Sequence, residues 1–136
     1  MSDVRVRAAL ETYLSTMQGV VDTAYENVAF DPVENTPYQR LELVPGEPEN
    51  PTAGGDTHRR LLGFLQVTLM FPLNGGPGAA AAYAELLRAR FPKGLSLTNG
   101  GVIVTIPNTP YVMGGFVDNG RWSLPVRISY FANITG

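Results

Sequence analysis

The chain has 136 residues, 44% of them hydrophobic, which is the size of one ordinary domain with a single core, and one domain over residues 1–136 is expected. There is no cysteine and only one histidine, His58, which excludes disulfides, thiol catalysis, cysteine-based zinc sites and a histidine-rich metal centre within one chain. The net charge of -2 argues against a general nucleic-acid binder, and no uncharged apolar run is long enough for a membrane helix.

Residues 2–18, SDVRVRAALETYLSTMQ, place Val6, Leu10, Tyr13, Leu14 and Met17 at three- and four-residue spacing and read as an amphipathic helix. Ser2 or Asp3 suits the N-cap, and Gly19 the stop. This opening stretch is charged throughout and lacks the apolar centre of a signal peptide, so a protein made and used in a cytoplasm is expected. Thr23–Phe30 has the composition of a strand or extended segment, and DPVENTP, from Asp31, is a loop. Tyr38–Val44 alternates around Leu41 as a strand.

A long connection follows, GEPENPTAGGDTHRR, from Gly46 to Arg60. It leads into Arg60–Phe71, the longest strand candidate, with Leu61, Leu65, Val67, Leu69 and Phe71 on one face and Leu62, Phe64 and Met70 on the other. A strand apolar on both faces belongs at the centre of its sheet. PLNGGPG is a turn into the alanine-rich helix Ala79–Phe91, whose apolar stripe is Tyr83, Leu86, Leu87 and Phe91.

The remainder reads as strands over Gly100–Ile106, Tyr111–Val117 and Arg121 onward, with a hairpin-type turn at Asp118–Gly120. In the last strand Trp122, Leu124, Val126, Ile128 and Tyr130 point inward, and Arg121, Ser123, Arg127 and Ser129 outward. Pro125 removes a ladder donor from the outward set, which argues for an edge or a bulge there. The order α-β-β-β-α-β-β-β gives an α+β fold, a mainly antiparallel, mixed sheet with two helices on one face. The second sheet face would then need a cover, and a neighbouring subunit is the simplest one.

Little in the chain can do chemistry. The Gly-rich turn NGGPGA precedes a helix, but Pro77 removes a donor and the Lys-Ser/Thr of a nucleotide loop is missing. Asp56 and His58 could form half of an acid–base pair, yet Ser123 and Ser129 sit on a strand and in no nucleophile elbow. Glu47, Glu49 and Asp56 lack the regular oxygen spacing of a calcium loop. Arg59, Arg60, Arg88, Arg90 and Lys93 could make a basic patch, but Arg88 and Arg90 are two apart and cannot share a helix face.

Charge is distributed unevenly. Residues 1–56 hold ten acids and three arginines, while residues 57–136 hold seven basic residues and two acids, leaving the halves near -7 and +5. Either the halves fold into one sheet and the charges mix, or the molecule has an acidic and a basic face, a polarity suited to head-to-tail association.

The stretches ENVAF, PYQRLELVPGEPENPTAGGDTHRRLLGFLQVTLMFP, GAAAAYAELLRARFPKG and GGVIVTI, with RWSLPVRISYFA as the closing strand, together resemble the tail terminator-like proteins of long-tailed phages and prophages over the full length. The resemblance implies an α+β fold and a structural role in the virion tail, with no enzyme activity, metal or cofactor. Its implied partners are further copies of the chain in a hexameric ring, the tail tube protein, and a head-completion or connector protein. The ring would stop tube polymerisation at the head-proximal end and offer a head-joining surface. The connection after Gly46 is then the candidate subunit or tube interface, through Glu47, Glu49, Asp56, His58, Arg59 and Arg60, with Arg40 one strand away and Pro45, Pro48 and Pro51 stiffening the loop. The alternatives are a solvated hairpin tip for this loop and, for the protein, a head-completion connector or a small hydrolase using Asp56 and His58.

Overall fold

The computed structural model describes residues 2–47, 59–73, 75–118 and 120–134. The first helix, α1 (Ser2–Ser15), buries Val6, Ala9, Leu10 and Leu14. It stops three residues short of the expected end. The Ser15 and Thr16 hydroxyls donate to the carbonyls of Thr12 and Tyr13 at 2.8 and 2.9 Å, which competes with the helix ladder, and Gly19 at φ +81° turns the chain. Met17 is still buried, because a tight bond from its N–H to the Leu14 carbonyl, at 3.1 Å, keeps the turn wound.

Of the expected 23–30 segment only a short strand forms, β1 (Asp22–Ala24), and it pairs in parallel with β2 (Tyr38–Pro45), which makes the sheet mixed. Asn27 and Asn35, at φ +57° and +63°, turn the intervening chain instead; asparagine tolerates this backbone region better than most residues. β3 (Arg59–Pro72) pairs antiparallel with β2 on one side and along its whole length with β8 (Arg121–Ile134) on the other. The sheet order is β1-β2-β3-β8-β5-β4, so β3 is central as its two apolar faces require.

Polar Ser96–Asn99 forms a strand the sequence pattern does not announce, β4, in a hairpin with β5 (Val102–Thr105). The expected 100–106 strand is shorter at its start because Gly100 and Gly101, both at positive φ, form the two-residue turn. The expected 111–117 strand divides into β6 (Tyr111–Val112) and β7 (Phe116–Asp118), both paired with β8. β8 is thus interior rather than an edge. The Pro125 carbonyl accepts from the Met113 N–H at 2.9 Å, just past the end of β6. In an antiparallel strand a residue's N–H and C=O point to the same neighbour, so the donor that proline lacks falls in the gap between β6 and β7. The edge is local to that residue.

The second helix, α2 (Gly78–Arg90), buries Ala80, Tyr83, Ala84 and Leu87, with Phe91 buried just beyond it. Leu86, expected in the stripe, is 49% exposed because it falls one position off that row. Both helices pack on one face of the sheet. There Leu41 and Leu43 of β2, Leu61, Leu65, Val67 and Leu69 of β3, and Leu124, Val126, Ile128 and Tyr130 of β8 join Leu10, Leu14, Leu87 and Phe91 in one core. The Tyr83 hydroxyl donates to Gln39 Oε1 at 2.9 Å and Gln39 Nε2 donates to Thr23 at 2.9 Å, so the buried amide on this face is paired. Gly63 sits where β2 leaves β3: a Cβ there would collide with the Val44 carbonyl, so the close approach of the two backbones requires glycine.

Candidate interface surface

Alternation puts the other residues of the same strands on a helix-free face: Tyr38, Arg40, Glu42 and Val44 of β2, the even-numbered residues of β3, and the odd-numbered residues of β8. Its two ends differ. At the end where β3 finishes, residues 25–37 cross the face as a strap. Phe30 packs with Tyr38, ring centroids 5.1 Å apart, over a small cluster of Ala24, Tyr38 and Met70. Arg121 lies over the Tyr38 ring at 4.9 Å and donates to the strap carbonyls of Val33 and Thr36 at 2.8 and 2.6 Å. Met70 and Ser123 are fully buried beneath.

At the end where β3 begins, the open end, no described segment crosses the face. Leu62, Phe64, Gln66, Arg127, Ser129 and Phe131 are all half-buried there. Arg127 lies over Phe64 at 4.1 Å and Arg60 over Phe131 at 5.4 Å. Both are diagonal cross-strand pairs, because Gln66 faces Arg127 and Arg60 faces Asn133. Arg60 Nε donates to Asn133 Oδ1 at 3.2 Å. Arg127 Nε is buried with no acceptor among the described residues, and neither guanidinium meets a carboxylate among them. A hollow of about 340 Å³ lies between Arg60, Phe64, Pro107 and Phe131. Tyr111, opposite Arg127 on β6, adds an exposed aromatic ring.

Among the described residues the ion-pair network lies at the root of the strap. Arg7 of α1 reaches Glu26 at 2.7 Å and Glu11 at 3.4 Å. Glu26 also accepts the Leu43 N–H at 2.7 Å, past the point where β1 stops covering β2. That backbone bond, more than Arg7, holds the Glu26 carboxyl below its usual range, whereas burial pushes Glu11 up and outweighs the pull of Arg7. Asp31 and Glu34, on the strap, are exposed and without a partner among the described residues.

The expected interface residues are divided by this geometry. Arg60 belongs to the open end. Glu47 is exposed just past β2, where the Gly46 N–H still bonds the Leu62 carbonyl at 2.6 Å. Arg59 opens β3 opposite Ile134. Glu49, Asp56 and His58 lie outside the described residues. Arg40 faces Thr68, eight residues along β3 from Arg60, or roughly 26 Å by strand rise, and lines a separate hollow of about 310 Å³ with Glu26, Phe30 and Tyr38.

The basic patch weighed from sequence is dispersed. Arg88 pairs with Glu85 at 2.8 Å, and Arg90 stacks on Tyr13 at 3.8 Å while donating to its carbonyl. Pro77 takes the N-cap of α2 without a capping side chain. Among the described residues no group of acidic or histidine side chains could hold a metal, and no helix is long and apolar enough to cross a membrane. Sequence reasoning marked Arg127 as outward but missed its stacking on Phe64, since that contact depends on the β3–β8 register.

A family model described as phage tail terminator protein matches residues 5–130. A solved structure superimposes with a TM-score of 0.81 at 26% identity, covering 100% of this chain and 99% of its own. No curated protein matches the chain.

Proposed function

The chain belongs to the phage tail terminator family, a structural rather than enzymatic family of the virion tail, and on that premise we propose that it closes the head-proximal end of the tail tube as a ring of its own copies. The match over residues 5–130 carries the proposal. The ring has six subunits, stops tube polymerisation with one face and receives the head-completion protein with the other. A ring of identical subunits needs two different patches on each copy, and the end of the sheet that no described segment covers, together with the uneven charge, supports such a design. Glu47, Glu49, Asp56, His58, Arg59 and Arg60 meet the neighbouring subunit or the tube, and Arg40 pairs with an acid across the contact. Replacing Arg59 and Arg60 together by Glu leaves the circular dichroism of the monomer nearly unchanged and impairs binding to tube ends.

Deleting the gene from its phage tests the role. Overlong tail tubes in electron micrographs are expected. Tails of normal length beside unfilled or leaking heads would make the protein a head-completion connector instead.

A further inference from the structure

We propose that the open end of the helix-free face is the seat for the acidic strap, residues 25–37, of a second copy of this chain, so that copies add head-to-tail. The inference rests on the ring reading and names the contact that builds the ring. Both surfaces are mixed apolar and charged, with opposite sign. The seat offers Leu62, Phe64 and Phe131 beside Arg60 and Arg127, and those two guanidinium groups have no carboxylate among the described residues.

The strap offers the reverse. No Lys or Arg occurs between Arg7 and Arg40, and Glu26 is engaged by Arg7 and Leu43. Asp31 and Glu34 stand exposed, beside Val28 and Val33 at 61% and 58% exposure. Arginine recognises carboxylates through paired N–H donors, and stacking on a ring holds the guanidinium flat while leaving its edge available. The same strap already covers an arginine-on-aromatic pair in its own molecule, Arg121 over Tyr38. Within one molecule Asp31 and Glu34 pair with neither arginine: Arg127 and Arg60 lie six and twelve residues along the sheet from the Pro72–Arg121 rung, roughly 20 and 40 Å by strand rise. A second copy supplies a matching strap, and the two patches are different surfaces, as a heterologous contact requires.

The absence of cysteine makes the contact accessible to disulfide capture. Val33→Cys and Ser129→Cys are introduced together; the two positions are too distant for a bridge within one chain, since bridged Cα atoms lie within about 7 Å. On mild oxidation, multimers beyond dimers are expected, joined by 33–129 links identified by peptide mass. Adding Arg127→Glu to this chain, or adding Asp31→Arg with Glu34→Arg, lowers the yield of those links at least tenfold. Mixing the two charge-reversed chains restores it, because each then meets a complementary surface. Circular dichroism confirms that every chain is folded before oxidation.

The proposal is overturned if the parent pair gives no 33–129 links or stops at dimers. It is also overturned if Arg127→Glu leaves the yield unchanged or if the mixture recovers nothing. Tail length in a complemented deletion phage is read separately with the unaltered chain. Normal tail length without 33–129 links refutes this contact and leaves the terminator reading standing; links without any effect on tail length support the contact and refute that reading.

Discussion

At one end of the helix-free face Arg121 lies over Tyr38, and the chain's own strap takes its N–H groups through two backbone carbonyls. At the other end Arg127 lies over Phe64 in the same manner, its Nε has no acceptor among the described residues, and the surrounding side chains are only half-buried. The stacking is the same and the cover differs. One end of the sheet face is closed by a dozen of the chain's own residues, and the other is crossed by none of the described residues, which is what the proposed contact with a second copy uses. The helix-covered face sets the reference: there Leu65, Val67 and Leu69 are fully buried in the core.

The sharpest way to separate the two faces is to truncate adjacent residues of β3. Leu65→Ala opens a cavity in the core and should cost about 2–5 kcal/mol of monomer stability. Phe64→Ala, one residue away on the open face, loses partial burial and the Arg127 stack and should cost nearer 1 kcal/mol while weakening self-association. Urea denaturation of both variants checks this, and equal costs would mean the open face is already core. The next contrast sets the two ends against each other. Arg121→Met strips the Val33 and Thr36 carbonyls of their donor and should cost about 1–3 kcal/mol, with faster amide exchange across the strap. Arg127→Met should cost under about 1 kcal/mol and leave the strap protected.

Smaller effects belong to the root of the strap. The folded-state pKa of Glu26 is lowered, so its contribution to stability is complete above the ordinary carboxylate value of 4.5 and is lost as pH falls through the depressed value. Thermal melts taken from pH 6 down to pH 3 should show this loss, and Glu26→Gln should flatten that part of the profile. Glu11 has the opposite sign. Burial raises its pKa, so the ionised form works against folding at neutral pH and the penalty disappears as the carboxyl protonates. Glu11→Gln should therefore raise the melting temperature slightly at pH 7 and leave it unchanged at pH 3.

Much of this fold is legible because long periodic runs carry it. Val6, Leu10 and Leu14 announce α1, and the two apolar sets of Arg60–Phe71 announce a central strand. The failures are short or polar. Ser96–Asn99 has a single apolar residue and is held by its hairpin with β5 rather than by propensity. Thr23–Phe30 has strand composition, but turns at Asn27 leave it no partner past Ala24. Pro125 correctly signals a missing ladder bond, while nothing local tells that the strand around it is interior.

The surface was half legible. Which residues of β3 and β8 point away from the core follows from alternation alone, and so does the expectation that their face needs a cover. That Arg127 meets Phe64, and that the strap closes only one end, depends on register and on a loop path that composition does not encode.

The central claim is that the open, arginine-bearing end joins one copy to the acidic strap of the next, and that this association terminates the tail. Tail length in a gene-deleted phage tests it most directly. Supplying the Arg127→Glu chain alone, or the Asp31→Arg, Glu34→Arg chain alone, should give overlong tails, and supplying both together should restore a uniform length. Uniform tails with Arg127→Glu alone would contradict the account.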